Sequence, residues 1–243
     1  MSNSPLVTYT KRVTHYSRPR EHKIDTITIH HMAGNASVET CADVLQSRNC
    51  SANYGIGTDG RIALYVDEAN RSWASFSPSN DHRAVTIEVA NCGGEPDWPV
   101  SDKAYAALID LCADICRRNG IRRLVWGESK DDRVNHRNGC NMTVHRDFMA
   151  TACPGPYLLR KMPQIARDVN EKLGAAEPAA GAHSAPYLVR VSCNGPIHAA
   201  PSAAAKQRGT IRPGVYTIVQ ESDGWGRLKS GAGWIALDGV SLL

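Results

Sequence analysis

The chain has 243 residues, of which 42% are hydrophobic, and it carries a formal net charge of +4. This length suffices for one domain with a full hydrophobic core and a small companion domain. No apolar stretch approaches the roughly 18 residues that a membrane span needs, and the first ten residues lack the pattern of a secretory signal. We therefore expect no membrane span, synthesis in the cytoplasm, and release by another route if the protein acts outside.

The net charge and the cysteine content bear on the expected partners and on the expected disulfide bonds. A mildly positive chain suits a polyanionic surface, but no basic stripe or aromatic-interleaved groove motif is present, so we expect no nucleic-acid partner. The most cationic segment, residues 117–123, is interpreted as a solvated face. The eight cysteines are too sparse for a disulfide scaffold, and we expect most of them to be free thiols.

Hydrophobic periodicity predicts interleaved strands and helices over the first 173 residues. The strand predicted at residues 26–30 runs into the pair His30-His31, and alternation places His30 on the face of Thr28 but His31 on the opposite face. Further strands are predicted at residues 54–56, 62–66 and 84–90, and helices at 38–48, 102–119 and 157–173. This pattern is typical of an α/β domain, for which we expect a mixed central sheet flanked by helices.

The strand predicted at residues 84–90 contains an unexpected carboxylate. Val85, Ile87 and Val89 line one of its faces, which leaves Thr86 and Glu88 on the other. A carboxylate within an apolar strand is costly unless it is paired or functional. Glu88 is therefore a candidate general base, and the alternative is a solvated glutamate on a partly exposed strand.

A histidine and a cysteine near residue 150 complete a candidate metal site. His145 and Cys153 are separated by seven residues, and a Pro-Gly pair after Cys153 favours a tight turn. Such a pair can share one Zn²⁺, with His30 as the third ligand and His31 packed under the strand or supporting the site. Three ligands leave a fourth position for water, as in catalytic zinc sites. The alternatives are His31 as the ligand, two ordinary buried histidines, and Cys153 as a small buried hydrophobic residue.

The remaining sequence predicts a second module. Residues 174–185 are rich in Ala, Gly and Pro without apolar periodicity, which predicts a linker. Beyond it, short strands are predicted at residues 187–191, 215–221, 226–229 and 233–237, with turn signals between them. Residues 186–243 are therefore expected to form a small all-β barrel, a kind of module that binds rather than catalyses.

With these residues in place, the first 173 residues resemble the zinc-dependent N-acetylmuramoyl-L-alanine amidases of the type-2 amidase and peptidoglycan-recognition superfamily, which includes phage lysins. Four segments carry the likeness in matching order, namely residues 27–31, 51–60, 86–88 and 145–155. The resemblance implies that His30, His145 and Cys153 hold Zn²⁺ and that Glu88 activates water. It also implies that the bond cut joins the lactyl group of N-acetylmuramic acid to L-alanine of the stem peptide.

Two positions differ among the members that the chain resembles. Some members carry a tyrosine at the position of Ala52, and some carry a lysine at the position of Thr151. Other active members have threonine at the second of these positions. We therefore assign Thr151 as the hydrogen-bond donor to the tetrahedral oxyanion, and Tyr54 as structural or substrate-lining. Residues 186–243 resemble bacterial SH3-type cell-wall-binding domains, which implies a binding role without naming the ligand.

These observations predict a modular peptidoglycan hydrolase, either a phage endolysin or a bacterial autolysin. Residues 1–173 would form the zinc amidase domain, and residues 186–243 would anchor the enzyme to the bacterial cell wall after release. The alternative is a non-catalytic peptidoglycan-binding protein, because the superfamily includes receptors that recognise wall fragments without cutting them. Such receptors typically lack the thiolate ligand, so Cys153 favours the enzyme.

Overall fold

The computed structural model describes residues 2–175, 186–222, 224–237 and 240–242. The chain divides after Ala175 into two compact units. The expected linker lies outside the described residues apart from its first two, and Gly174 ends the last helix of the first unit in the left-handed conformation. No helix within the described ranges is both long and apolar enough to cross a membrane.

The first unit is built from short strands and five helices within its described residues. Its strands are β1 (Tyr9–Thr10), β2 (Tyr16–Ser17), β3 (Thr26–His31), β4 (Tyr54–Ile56), β5 (Ile62–Leu64), β6 (Arg71–Ser72), β7 (Ala84–Val89) and β8 (Met142–Val144). Its helices are α1 (Val38–Ser47), α2 (Pro78–Arg83), α3 (Asp102–Asn119), α4 (Lys130–Val134) and α5 (Gly155–Leu173), with 3-10 turns at Arg137–Gly139 and His145–Asp147.

Six of these strands form one mixed sheet in the order β1-β5-β4-β7-β3-β8. Strand β3 pairs in parallel with β7 and with β8, and β4 pairs in parallel with β7 but antiparallel with β5. The expected mixed sheet flanked by helices is therefore confirmed. Because β3, β7 and β8 run in the same direction, the residues at their carboxyl ends meet at one edge of the sheet.

The two faces of the sheet differ in character. Ile27 and Ile29 of β3 and Ile87 of β7 are fully buried in a core that includes apolar side chains of α3 and α5. Alternation directs Thr28 and His30 to the other face, on the side where α1 packs in a separate apolar cluster. The long helices thus cover one face, and the polar residues of the central strands point away from them.

Helix α3 spans Asp102–Asn119, the range that its periodicity predicts, with Ser101 as the N-cap. Two of the chain's eight free cysteines, Cys112 and Cys116, lie buried in its core-facing side. The interpretation of residues 117–123 as a solvated face is wrong at Arg118. Its guanidinium lies 2.7 Å from the fully buried carboxylate of Glu68, which needs a cation in that position.

The second unit is all-β in its described residues. Its strands are β9 (Tyr187–Val191), β10 (Gly195–His198), β11 (Gln207–Ile211), β12 (Gly214–Ser222), β13 (Trp225–Leu228), β14 (Trp234–Ala236) and β15 (Ser241–Leu242). They form one antiparallel sheet in the order β11-β10-β14-β13-β12-β9-β15. The expectation of a separate all-β region is confirmed, and its apolar core includes Val189, Ile218 and Ile235.

Candidate metal centre

The sheet edge brings together three side chains that are distant in sequence. His30 comes from the end of β3, His145 opens the 3-10 turn after β8, and Cys153 precedes α5. Their ligand atoms all lie within 4.8 Å of one another, and Sγ of Cys153 is 3.5 Å from Nδ1 of His30. Tetrahedral zinc with bonds of roughly 2.0–2.3 Å places its ligands about 3.5 Å apart. The cluster is therefore compatible with one shared ion.

Unpartnered atoms in the cluster support the same conclusion. Nε2 of His30, Nε2 of His145 and Oε2 of Glu88 are buried, and none of them has a hydrogen-bond partner within the described part of the chain. Buried polar atoms are normally satisfied, and the His30 ring turns Nδ1 toward Cys153 and Glu88, so the unpaired Oε2 of Glu88 is the atom that a ligand of the cluster would satisfy. A donor set of two imidazoles and one thiolate suits Zn²⁺.

The protonation states of the imidazoles also suit a metal. Burial lowers the pKa of His30 to about 3, with a further contribution from the neighbouring His145. Burial likewise lowers the pKa of His145. Both rings are therefore neutral near pH 7, which is the form that binds metal ions.

Cys153 occupies a buried position in which a free thiol would keep its proton. Burial, and secondarily the charge of Glu88, raises the pKa of the Cys153 thiol far above its ordinary value. Its backbone N–H donates to the hydroxyl oxygen of Thr151 at 3.2 Å, which fixes the turn. A cation beside the sulfur is therefore needed to stabilise the thiolate.

His31 lies on the opposite side of β3 from this cluster. Its ring meets that of Trp98 edge-on, with the centroids 5.6 Å apart. Gly155 makes this packing possible, because it has φ 81° and a Cβ there would lie 3.0 Å from the His31 ring. The structure thus separates the two histidines in the way that strand alternation predicts.

Glu88 faces the cluster from the neighbouring strand. It is directly opposite His30 in the parallel register of β3 and β7, with Oε1 3.9 Å from Nδ1 of His30. Burial raises the pKa of Glu88 to about 8. A carboxyl group with a pKa near neutrality can both accept and return a proton at physiological pH.

The two other residues considered from the sequence have different surroundings. Thr151 lines the same cavity as Glu88 and His145. Tyr54 is fully buried in the core, and its hydroxyl donates to Glu68 at 2.6 Å and accepts from the backbone N–H of Ser4 at 2.9 Å. Of the two roles considered for Tyr54, its position supports the structural one.

The cluster opens into a groove with a volume of about 740 Å³. Besides Glu88 and His145, three large apolar side chains line it while remaining well exposed: Trp73 at 41%, Phe76 at 82% and Met149 at 43%. Exposed apolar side chains around a concave polar site are typical of a ligand-binding surface. The groove therefore offers a place for an extended molecule next to the metal centre.

Two residues that the sequence pattern does not single out, Asp147 and Arg133, hold His145 in place. The buried Asp147 accepts a hydrogen bond from the backbone N–H of Val144 at 3.1 Å, and Arg133 binds its carboxylate through two bonds of 2.9 and 2.6 Å. The Arg133 guanidinium also lies 4.3 Å from the centre of the Trp126 ring. The sequence offers one signal for Asp147, which is that an acidic residue follows the candidate ligand His145 by two positions. Its partner Arg133 lies on α4, a helix that the sequence pattern does not predict.

A mixed sheet with two histidines, a cysteine and a carboxylate at one edge presents the residue types that metal-dependent hydrolases use. The comparison with protein families agrees. The family described as Amidase_2, N-acetylmuramoyl-L-alanine amidase, matches residues 20–156, which are more than half of the chain. The chain belongs to this family of amidases, and the matched segment contains His30, Glu88, His145, Thr151 and Cys153.

Several solved structures are similar in fold. Hydrolase AmiA of Staphylococcus aureus, solved in complex with its ligand, is 15% identical over 73% of this chain and 89% of its own, with a TM-score of 0.54. The endolysin and N-acetylmuramoyl-L-alanine amidase LysCS of Clostridium intestinale is 20% identical over 68% of this chain and 98% of its own, with a TM-score of 0.46. A Drosophila peptidoglycan recognition protein, PGRP-SA, is 20% identical over 62% of this chain and 82% of its own, with a TM-score of 0.43. No curated protein gives a significant match.

Proposed function

We propose that this amidase hydrolyses the amide bond between the lactyl group of N-acetylmuramic acid and L-alanine of the peptidoglycan stem peptide. His30, His145 and Cys153 hold Zn²⁺ in this proposal. The observation that carries it is the convergence of these ligands with Glu88 at the mouth of a groove, in a chain of the amidase family. Family membership supports the reaction class, and the ligand geometry supports the metal.

Zn²⁺, when bound, supplies a Lewis acid that makes water a nucleophile at neutral pH. Glu88 accepts a proton from the attacking water as the C–O bond forms, and it then passes this proton to the amine of L-alanine as the C–N bond breaks. The pKa of Glu88, raised to about 8 by burial, suits a group that must take up and return a proton. The hydroxyl of Thr151 donates a hydrogen bond to the carbonyl oxygen as charge develops on it.

The second unit binds the cell wall in the same proposal. Its all-antiparallel sheet is separate from the unit that carries the metal cluster, and its sequence resembles SH3-type wall-binding domains. A tether to an insoluble substrate raises the local concentration of the catalytic unit without changing its chemistry. The protein then acts as an endolysin or autolysin that meets peptidoglycan after its release from the cytoplasm.

The test is digestion of purified peptidoglycan, followed by identification of the new chemical ends. We expect free lactyl groups on muramic acid and free amines on L-alanine, with about one zinc per chain. Glu88→Gln should retain the zinc and lose roughly 10²-fold or more in rate. A matched control, Glu21→Gln, removes the same charge from a 79% exposed side chain and should act like the wild type.

The ligand assignment is tested by metal content. His30→Ala should lose zinc, whereas His31→Ala should retain it, because His31 packs against Trp98 on the other side of the strand. Zinc loss in His31→Ala with retention in His30→Ala would overturn the assignment. Reducing sugar ends in the digest would indicate a glycosidase, and binding of the wall without any cleavage would indicate a recognition protein.

A further inference from the structure

Two arginines line the groove without an acidic partner. Arg48 follows α1 and is exposed, and Arg71 on β6 is half-buried. In the described ranges, neither lies within 4 Å of a carboxylate. Nη2 of Arg71 donates to Oγ of Ser17 at 2.7 Å, but its Nε is buried and has no hydrogen-bond partner. Both guanidinium groups therefore lack an anionic partner among the described residues, and a ligand carboxylate in the groove can supply one.

The carboxylates that line the groove do not neutralise these arginines. Asp81 is only 2% exposed, and its oxygens accept hydrogen bonds from the backbone of Ala74 and from the backbone and hydroxyl of Ser75. Glu88 faces His30 in the metal cluster. Neither groove carboxylate therefore pairs directly with Arg48 or Arg71, which leaves both guanidinium groups available to an anionic ligand.

The arginines lie near the reacting centre. Ser72, the neighbour of Arg71, shares a hydrogen bond of 2.7 Å with Thr86, and Thr86 precedes Glu88 by two residues, about 7 Å along β7. Burial raises the pKa of the Cys50 thiol, the charge of Glu88 raises it further and that of Arg48 lowers it, so both charges act at Cys50. Both arginines thus border the groove that Glu88 and His145 also line.

We propose that Arg48 and Arg71 bind a free carboxylate of the stem peptide beyond the scissile amide, so that the enzyme selects acidic stems over amidated ones. A guanidinium group donates two parallel hydrogen bonds to a carboxylate, a geometry that an amide matches poorly. The inference rests on the proposed function, because it assigns one part of the same substrate. It adds a specificity for charge that the metal cluster alone does not provide.

The experiment compares two soluble substrates that differ only at one group. They are N-acetylmuramoyl-L-alanyl-γ-D-glutamyl-L-alaninamide, whose only carboxylate is the α-carboxylate of D-glutamate, and the matching D-isoglutaminyl compound, with an amide in its place. We expect the wild-type kcat/KM to be about tenfold or more higher for the acid, because hydrogen bonds between charged groups are the stronger ones. The difference should lie mainly in KM, because the arginines contact substrate away from the bond that breaks.

Variants of the two arginines assign the preference to the groove. Arg71→Gln and Arg48→Gln should each reduce the ratio toward one by weakening only the acidic substrate, and Arg48→Glu should favour the amide. Arg71→Lys should retain part of the preference because it retains the charge. The matched control is Arg122→Gln, which removes an exposed arginine outside the groove and should leave the ratio unchanged.

The outcomes separate this inference from the proposed function. Cleavage of neither substrate by zinc-loaded wild-type protein would overturn the proposed function and this inference with it. Equal cleavage of both substrates, or an unchanged preference in the Arg48 variants, would overturn the inference alone. Because Arg71 also holds Ser17, thermal unfolding and zinc content accompany its variants. If Arg71→Gln does not fold, the variants of the exposed Arg48 decide the result.

Discussion

Two residues of the proposed metal centre should couple zinc binding to pH. Burial raises the pKa of the Cys153 thiol and brings the pKa of Glu88 to about 8, so both groups are protonated at pH 7 in the metal-free protein. His30 and His145 are neutral there, because burial lowers the pKa of each ring. We therefore predict that zinc binding at pH 7 releases about two protons, because a dication displaces the thiol proton and stabilises the ionised carboxylate.

Calorimetric titration with Zn²⁺, in buffers of different ionisation enthalpy, counts these protons. Glu88→Gln should lower the count by about one while still binding the metal. The control Glu21→Gln should release as many protons as the wild type, since the Glu21 side chain is 79% exposed. An equal count in Glu88→Gln and wild type would show that Glu88 is already ionised before the metal arrives.

Among the elements, β8 and the turn after it determine where His145 lies. The strand has only three residues, so a side chain rather than a long ladder must hold its end. Asp147 does this by binding the backbone of Val144 and the buried guanidinium of Arg133. We predict that Asp147→Asn weakens zinc affinity by about 10- to 100-fold, the usual effect of removing a group that orients a ligand.

Competition with a chelator measures this affinity, and denaturant unfolding measures the stability. Stability should also fall, because the change leaves a buried guanidinium without its anion. The control is Asp97→Asn, which breaks the exposed pair of Asp97 with Arg160 and should alter neither quantity measurably. Unchanged zinc affinity in folded Asp147→Asn protein would limit Asp147 to a purely structural role.

The elements with long patterns are predictable from this sequence, and predicted strands also cover the short β4 and β5, but the short strands β1, β2, β6 and β8 are not predicted. Helix α3 follows from its apolar spacing and from the cap at Ser101, and alternation along β3 separates His30 from His31. Strand β8 has no period to read in three residues. The free Nε of Arg71 is likewise beyond sequence reasoning, because it depends on which side chains the fold brings near β6. Contacts between residues distant in sequence, rather than local sequence preference, determine both strand β8 and the surroundings of Arg71.

At the scale of the whole molecule, the two units should be separable. Each has its own apolar cluster, and the chain divides after Ala175. A fragment of residues 1–175 should bind zinc and hydrolyse soluble muropeptides at close to the full-length rate, while binding intact walls more weakly. A fragment of residues 186–243 should sediment with walls without cutting them. Loss of activity on soluble muropeptides in the first fragment would show that catalysis needs the second unit.

The proposed metal ligands lie far apart along the chain, so zinc binding should also stabilise the fold. His30 and Cys153 enclose more than 100 residues, and all eight cysteines are free, so no disulfide cross-links the chain. The site that joins these distant residues exists only in the folded chain, so a bound ion stabilises the fold by mass action, by about 4 kcal/mol when free zinc exceeds its Kd roughly 1,000-fold. Removal of zinc by a chelator should therefore lower the melting temperature of the first unit. Thermal unfolding with and without the chelator measures this contribution of the ion to stability.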